Sequence, residues 1–350
     1  MSEQTTYVLT CLYGLEEELC DEVAERLGVE PSHGWSEVTF SFEDEPARLR
    51  ELRLAVNVFE EFASFRLGPT HDDLRTLEAR LLRLPVARWE EHAVAVAGDE
   101  LESGDIAISV DRSGDHNYTY KDVEDMASDV LSETTGRRAV LDSRPLELRI
   151  EIREETCRLR GRLTPVPLSH RPYKIRRARC ETDPTLAAAM VRICEPTARG
   201  RFLDPFAGTA TVALERALLG PAERVVAADV NPRRVDWARA NVQAAGAPVD
   251  LVRCDAHRLP FRDRAFTRIA TAPPQGDPTD GTRWEPEALA ALLAEPFRVL
   301  EYGGTSVWLV RDWRVFERAV SLVGLNRLAE KLIVDWKGKP CHIYSLERVP

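Results

Sequence analysis

The segment Phe202–Gly220 reads Phe-Leu-Asp-Pro-Phe-Ala-Gly-Thr-Ala-Thr-Val-Ala-Leu-Glu-Arg-Ala-Leu-Leu-Gly, and it constrains the fold more than any other stretch of the chain. Phe202 and Leu203 end an apolar strand, Asp204 to Thr209 is a turn of small residues, and Thr211 to Leu219 carries helical apolar spacing until Gly220. Small residues suit a loop whose backbone N–H groups, at a helix start, come close to a ligand. Neither of the two common phosphate loops fits, because no G-x-G-x-x-G and no Gly-Lys-Ser/Thr follows Gly208. Asp229 closes the next apolar strand, Arg224–Ala228, where an acid accepts from ribose hydroxyls in Rossmann-like sites.

This pattern resembles motif I of class I S-adenosylmethionine-dependent methyltransferases, in the Asp-Pro-x-x-Gly-x-Gly-Thr form used by RNA amine methyltransferases. The second glycine is replaced by Ala210, which is expected to narrow the loop's clearance. The resemblance implies that Asp204, Phe206, Gly208 and Thr209 surround the methionine part of the cofactor, S-adenosyl-L-methionine. Asp229 would then hold the ribose and Asp255 would accept from the adenine amine.

With 350 residues, 44% of them hydrophobic, the chain can build two or three cores. It has no long apolar run and opens Met-Ser-Glu-Gln-Thr-Thr, which argues against export or membrane insertion and for a cytoplasmic protein. Seven scattered cysteines without C-x-x-C read as reduced thiols, so no metal site is expected. The net charge of −11 disfavours a protein that grips polyphosphate over its whole surface. The charge is unevenly distributed, however: twelve carboxylates and one arginine lie between Glu3 and Glu45, whereas Arg158 to Arg179 holds eight cations and no acid. Such a stripe on an acidic protein can form a nucleic-acid site.

Taken in order, the chain alternates strand and helix through about residue 65, including an expected helix over Pro46–Leu54, as in a small α+β unit. A second α+β unit follows, with a strand at Ile106–Val110, a helix near Asp122–Thr135 and strict apolar alternation at Leu146, Leu148, Ile150 and Ile152. Arg158, Arg160 and Arg162 share one face of the next strand. They serve either as cross-strand partners of Glu147 and Glu151 or as a row facing phosphate. From residue 184 onward strands and helices alternate to an antiparallel ending, giving an α/β fold with a mostly parallel sheet.

Three further motifs resemble those of the THUMP-domain RNA methyltransferases, in particular the tRNA guanine-N2-methyltransferases. They are Thr10-Cys11-Leu12-Tyr13-Gly14-Leu15-Glu16-Glu17, Arg112-x-Gly114-x-His116, and Leu163-Thr164-Pro165-x-Pro167-Leu168-x-x-Arg171-Pro172-Tyr173-Lys174. The resemblance implies a ferredoxin-like domain over residues 1–68, a THUMP RNA-binding domain over 69–168, a basic linker over 169–183 and a Rossmann-like catalytic domain over 184–350. It implies tRNA, including its 3′ single-stranded end, as partner. Arg112, His116, Tyr118 and Lys121 combine cations with rings suited to phosphate contact and base stacking, or else His116 and Tyr118 cap a helix and fill a crevice. Arg171, Lys174, Arg176 and Arg177 extend the expected RNA-binding set through the hinge.

Methylating an exocyclic base amine needs more than a methyl donor, because the nitrogen lone pair is delocalised into the ring. The family answers with Asn/Asp-Pro-Pro-Tyr/Phe, whose acceptors hold the amine while an aromatic ring stacks on a flipped-out base. Here the catalytic segment reads Ala272-Pro273-Pro274-Gln275. Three readings stay open. In the first, backbone carbonyls, Gln275 or Asp277 take over and the guanine amine is methylated. In the second, the chain binds RNA, with or without S-adenosylmethionine, and has lost transfer. In the third, it methylates a different acceptor.

Overall fold

The computed structural model describes residues 5–101, 105–137, 146–179, 181–195, 197, 199–274, 284–324 and 326–350. The chain divides into two compact units: residues up to Cys11 with Glu16–Leu168, and Leu12–Leu15 with Ser169–Pro350. None of the described helices is long and apolar enough to cross a membrane. None of the six described cysteines is in a disulfide, and Cys180 lies outside the described residues.

The first unit runs β1 (Thr6–Thr10), α1 (Glu16–Leu27), β2 (Ser32–Gly34), β3 (Glu37–Ser41), β4 (Asn57–Arg66), α2 (Leu74–Leu81), α3 (Val86–Ala97), β5 (Ile106–Ser113), α4 (Tyr120–Thr135), β6 (Leu146–Arg153) and β7 (Thr156–Arg162). Its strands form one seven-stranded sheet in the order β2-β3-β1-β4-β7-β6-β5, so the sheet continues through both expected N-terminal domains. The expected helix at Pro46–Leu54 is a 3-10 turn, Pro46–Glu51. It stops because the N–H groups of Arg53 and Leu54 donate to the buried Glu22 carboxylate instead of continuing a helical ladder. The arginine row on β7 resolves as ion pairing: Arg158 faces Glu37, Arg162 bonds Glu147 and Asn57, and the buried Arg160 reaches Glu37, Glu61 and Glu151. That leaves Arg160 no face for phosphate.

The second unit runs α5 (Pro184–Ile193), β8 (Arg201–Asp204), α6 (Thr211–Leu219), β9 (Arg224–Asp229), α7 (Pro232–Ala245), β10 (Asp250–Arg253), β11 (Phe266–Thr271), α8 (Pro286–Val299), β12 (Leu300–Val310), α9 (Trp313–Val323), β13 (Asn326–Asp335) and β14 (Pro340–Arg348). The sheet order is β10-β9-β8-β11-β12-β14-β13. Its first five strands are parallel, and β14 inserts antiparallel between β12 and β13. The order reverses at β8, the first strand of this sheet, with β9 on one side and β11 on the other. A crevice at the carboxyl ends of strands flanking such a reversal is where open α/β sheets bind ligands. Apolar runs such as Val225 to Ala228 are buried, as expected for a sheet covered on both faces.

Candidate active site

β8, β9 and β11 each end in a polar residue beside this crevice, a cavity of about 550 Å³ lined by Asp204, Asp229, Asp255, Gly208, Pro273 and Trp284 among others. That volume falls within the range of small-molecule and cofactor pockets. Asp204 and Asp229, which end β8 and β9, and Asp255, two residues past the end of β10, share one cavity with Phe206, Thr209, Ala272 and Pro274.

Each carboxylate has a different environment. Asp204 is 1% exposed, and its Oδ1 accepts from the Thr271 hydroxyl at 2.6 Å and the Phe206 N–H at 3.2 Å. Burial pushes its carboxyl up to about 7, against the pull of those two donors, and the Asp229 charge adds to the rise. Asp229 accepts from the N–H groups of Gly208 and Asn231 at 2.9 and 2.8 Å, which ties β9 to the glycine loop. Asp255 is exposed and accepts from the His257 N–H and ring, contacts that hold its carboxyl below the usual carboxylate range.

The loop between β8 and α6 turns on two left-handed residues, Gly208 at φ 55° and Ala210 at φ 67°. A Cβ on Gly208 would meet no protein atom within 4 Å, so inside the protein its glycine serves the left-handed backbone conformation. Ala210 does not narrow the crevice, contrary to the sequence expectation: it is buried and absent from the cavity wall. Its cost is the left-handed backbone, about 1–2 kcal/mol relative to a relaxed alanine.

A buried polar network that sequence reasoning missed braces this loop. Lys174 Nζ contacts Glu181 Oε1 at 3.0 Å and donates to Thr211 Oγ1 at 2.8 Å. Glu181 Oε2 accepts from the Thr209 hydroxyl at 2.7 Å. Burial lowers the Lys174 pKa, and Glu181 opposes that fall. Arg171 and Tyr173 both bond the buried Glu215 of α6. Arg171 and Lys174 are thus turned inward as internal counter-ions, which corrects their assignment to an RNA surface. Arg176, Arg177 and Arg179 remain exposed, and Arg179 lines the crevice.

The Arg112 loop in the first unit is also corrected in part. Tyr118 is buried and donates its hydroxyl to Gly68, so its ring is not open to a base. His116 Nε2 donates to the Glu154 carbonyl, leaving Nδ1 to accept from Arg112. Thr119 and Asp122 close a capping box at the start of α4. Lys121 is exposed.

Ala272 is half-buried at the end of β11 and offers no side-chain acceptor, while Gln275 and Asp277 lie outside the described residues. The residue sequence reasoning missed here is Trp284, whose indole N–H donates to the Pro274 carbonyl at 2.6 Å. No spacing rule links it to the Pro-Pro pair. Asn231, which caps α7 and lines the same cavity, could have been found from its place before Pro232.

The Asp204 environment makes a testable statement about pH. Its folded value lies above that of an unfolded aspartate, near ~3.9. The folded chain therefore holds the proton more tightly. The stabilising contribution is complete below about pH 4 and is lost as pH rises through the folded value. Between about pH 5.5 and about pH 8, Asp204→Asn is expected to lose roughly 2 kcal/mol less stability than the parent chain. Urea unfolding at the two pH values measures this, and parallel profiles would mean that the carboxyl titrates normally.

Residues 171–335 match the family described as UPF0020, RMKL-like, methyltransferase domain. The chain is 34% identical over 225 residues to a tRNA (guanine(6)-N2)-methyltransferase of Thermus thermophilus, an alignment covering 63% of this chain and 66% of that enzyme. It is 30% identical over 181 residues to the tRNA (guanine(6)-N(2))-methyltransferase THUMP3 of Mus musculus, covering 47% of this chain and 35% of that protein. The chain thus spans only part of the length of the curated relatives it matches. Its fold superposes on the crystal structure of TrmN from Thermus thermophilus with a TM-score of 0.82 and 28% identity, over 99% of this chain and 100% of that one.

Proposed function

We propose that this chain, whose residues 171–335 belong to the RMKL-like methyltransferase family, transfers a methyl group from S-adenosylmethionine to the N2 amine of a guanine in tRNA. The observation that carries this reading is the convergence of Asp204, Asp229, Asp255 and Pro273-Pro274 on one cavity, in a chain similar to guanine-N2 methyltransferases. When bound, the cofactor supplies an electrophilic methyl group on a sulfonium. Asp229 accepts from the ribose hydroxyls and Asp255 from the adenine amine. Asp204, Phe206, Gly208 and Thr209 enclose the methionine end, with Glu181, held by Lys174, accepting from the Thr209 hydroxyl. The Ala272-Pro273-Pro274 segment presents its backbone carbonyls to the guanine amine.

Residues 69–168 serve as the THUMP domain that grips the 3′ single-stranded end of the tRNA, beside a ferredoxin-like domain at 1–68. Residues 169–183 link them to the catalytic domain at 184–350, and the work is done in the cytoplasm. Arg112, Lys121, Arg176 and Arg177 contact phosphate, whereas both ring nitrogens of His116 are taken by the Glu154 carbonyl and Arg112. The missing acceptor at Ala272 favours a second reading, in which RNA and cofactor bind without transfer.

Two measurements on the full chain test the proposal. S-adenosylhomocysteine at about a hundred times its Kd should stabilise the fold by about 2.7 kcal/mol, seen as a raised Tm. Tritiated methyl groups should then appear in guanine of unmodified tRNA transcripts. A raised Tm without incorporation selects the second reading. If neither ligand binds, both are wrong.

A further inference from the structure

We propose that Trp284 is the stacking platform for the acceptor base, an inference that rests on the methyl-transfer reading above. A flipped-out base needs an aromatic or planar face to hold it, and stacking on one is worth about 1–3 kcal/mol per base. The position after Pro274 holds glutamine, which has no such face. Trp284 lies ten residues further along the chain and is brought back to Pro274 by its indole N–H.

The ring is held at one edge by that bond and packs against the apolar cluster of Leu289, Leu292, Phe297 and Trp308. It is half-buried and lines two adjoining spaces. One is the crevice that contains the three carboxylates. The other is a hollow of about 150 Å³ walled by Pro273, Pro274, Leu289, Val310 and Phe316. The N–H bond brings the ring next to Pro274, so the stacking face lies beside the Ala272-Pro273-Pro274 backbone. A base stacked on the ring face lies beside those backbone acceptors, which is the proximity that transfer uses.

Trp284→Ala, Trp284→Leu and Trp284→Phe in the full chain test this, with unmodified tRNA transcripts as substrate and S-adenosylhomocysteine as the probe of folding. Trp284→Ala is expected to lower kcat/KM for tRNA by about 10-fold or more, within the span that stacking energies set, while the Tm shift with S-adenosylhomocysteine is kept. Trp284→Phe, which keeps a ring and loses the N–H, should stay within about threefold of the parent chain. Trp284→Leu, which fills the volume without a π face, replaces the alanine variant if that one loses the Tm shift. An unchanged kcat/KM in the alanine or leucine variant overturns the inference and leaves the methyl-transfer reading standing. Equal loss in the phenylalanine and alanine variants also overturns it, since the N–H bond to Pro274 would then be what matters. A parent chain that methylates no tRNA overturns both.

Discussion

On the methyl-transfer reading proposed above, Ala272→Asn is expected to raise the rate of transfer to guanine about a hundredfold. Ala272 follows Thr271 at the end of β11 and lines the cavity beside Pro273 and Pro274. At this position an asparagine side chain supplies a hydrogen-bond acceptor that alanine lacks. An acceptor bonded to an amine hydrogen favours the pyramidal nitrogen over the planar, delocalised one. It therefore acts more strongly in the transition state than in the ground state. A single positioned hydrogen-bonding group of this kind is worth about 10²–10³ in kcat, or about 2.7–4 kcal/mol. Single-turnover transfer of a tritiated methyl group gives the rate directly, and Ala272→Val separates the acceptor from the added bulk. Were the asparagine variant no faster while its Tm still rose with S-adenosylhomocysteine, the acceptor would already come from elsewhere in the site.

Arg160→Met should lower the stability of the first unit by about 3–5 kcal/mol, the cost of leaving buried charges without their partner. The Arg160 side chain is 2% exposed in the middle of β7. Its two terminal nitrogens donate to Glu37 at 2.6 and 3.0 Å, its Nε donates to Glu61 at 3.2 Å, and Glu151 lies 3.2 Å away. Those carboxylates come from β3, β4 and β6, so one guanidinium joins four strands of the sheet. Its removal takes away the cation the three acids share, leaving Glu37 with Arg158 and Glu151 with Arg149 and an excess of negative charge among partly buried groups. Urea unfolding measures the loss. Changing Glu37, Glu61 and Glu151 to glutamine in the methionine variant should recover part of it, because the uncompensated charges would then be gone. A loss below about 1 kcal/mol would put Arg160 among ordinary surface pairs.

Both residues show how far the primary structure could be read. The strand-loop-helix at Phe202–Gly220 was legible because its signals are local: an apolar strand end, small turn residues and a helical repeat all lie within one short window. The alternation at Leu146 to Ile152 and the parallel sheet of the second unit were legible for the same reason. At Pro46–Leu54 local propensity was misleading, since a carboxylate 31 and 32 residues away takes the N–H groups that would have extended the helix.

Charge was the least legible property. Arg160, Arg171, Lys174 and Arg177 look alike along the chain, yet three are buried against acids and one is exposed. What the chain determined by itself was the strand-loop-helix at the end of β8, the strand from Leu146 to Ile152 and the strand-helix alternation of the second unit, because backbone preference and hydrophobic period act between near neighbours. Tertiary structure alone decided which cations turn inward and that Trp284 returns to Pro274, whereas the meeting of three carboxylates in one cavity was already implied by the motif resemblance. The reason is distance: Arg160 and Glu37 are 123 residues apart, and a Coulombic or hydrogen-bonded partner is set by the folded path of the chain, not by its order.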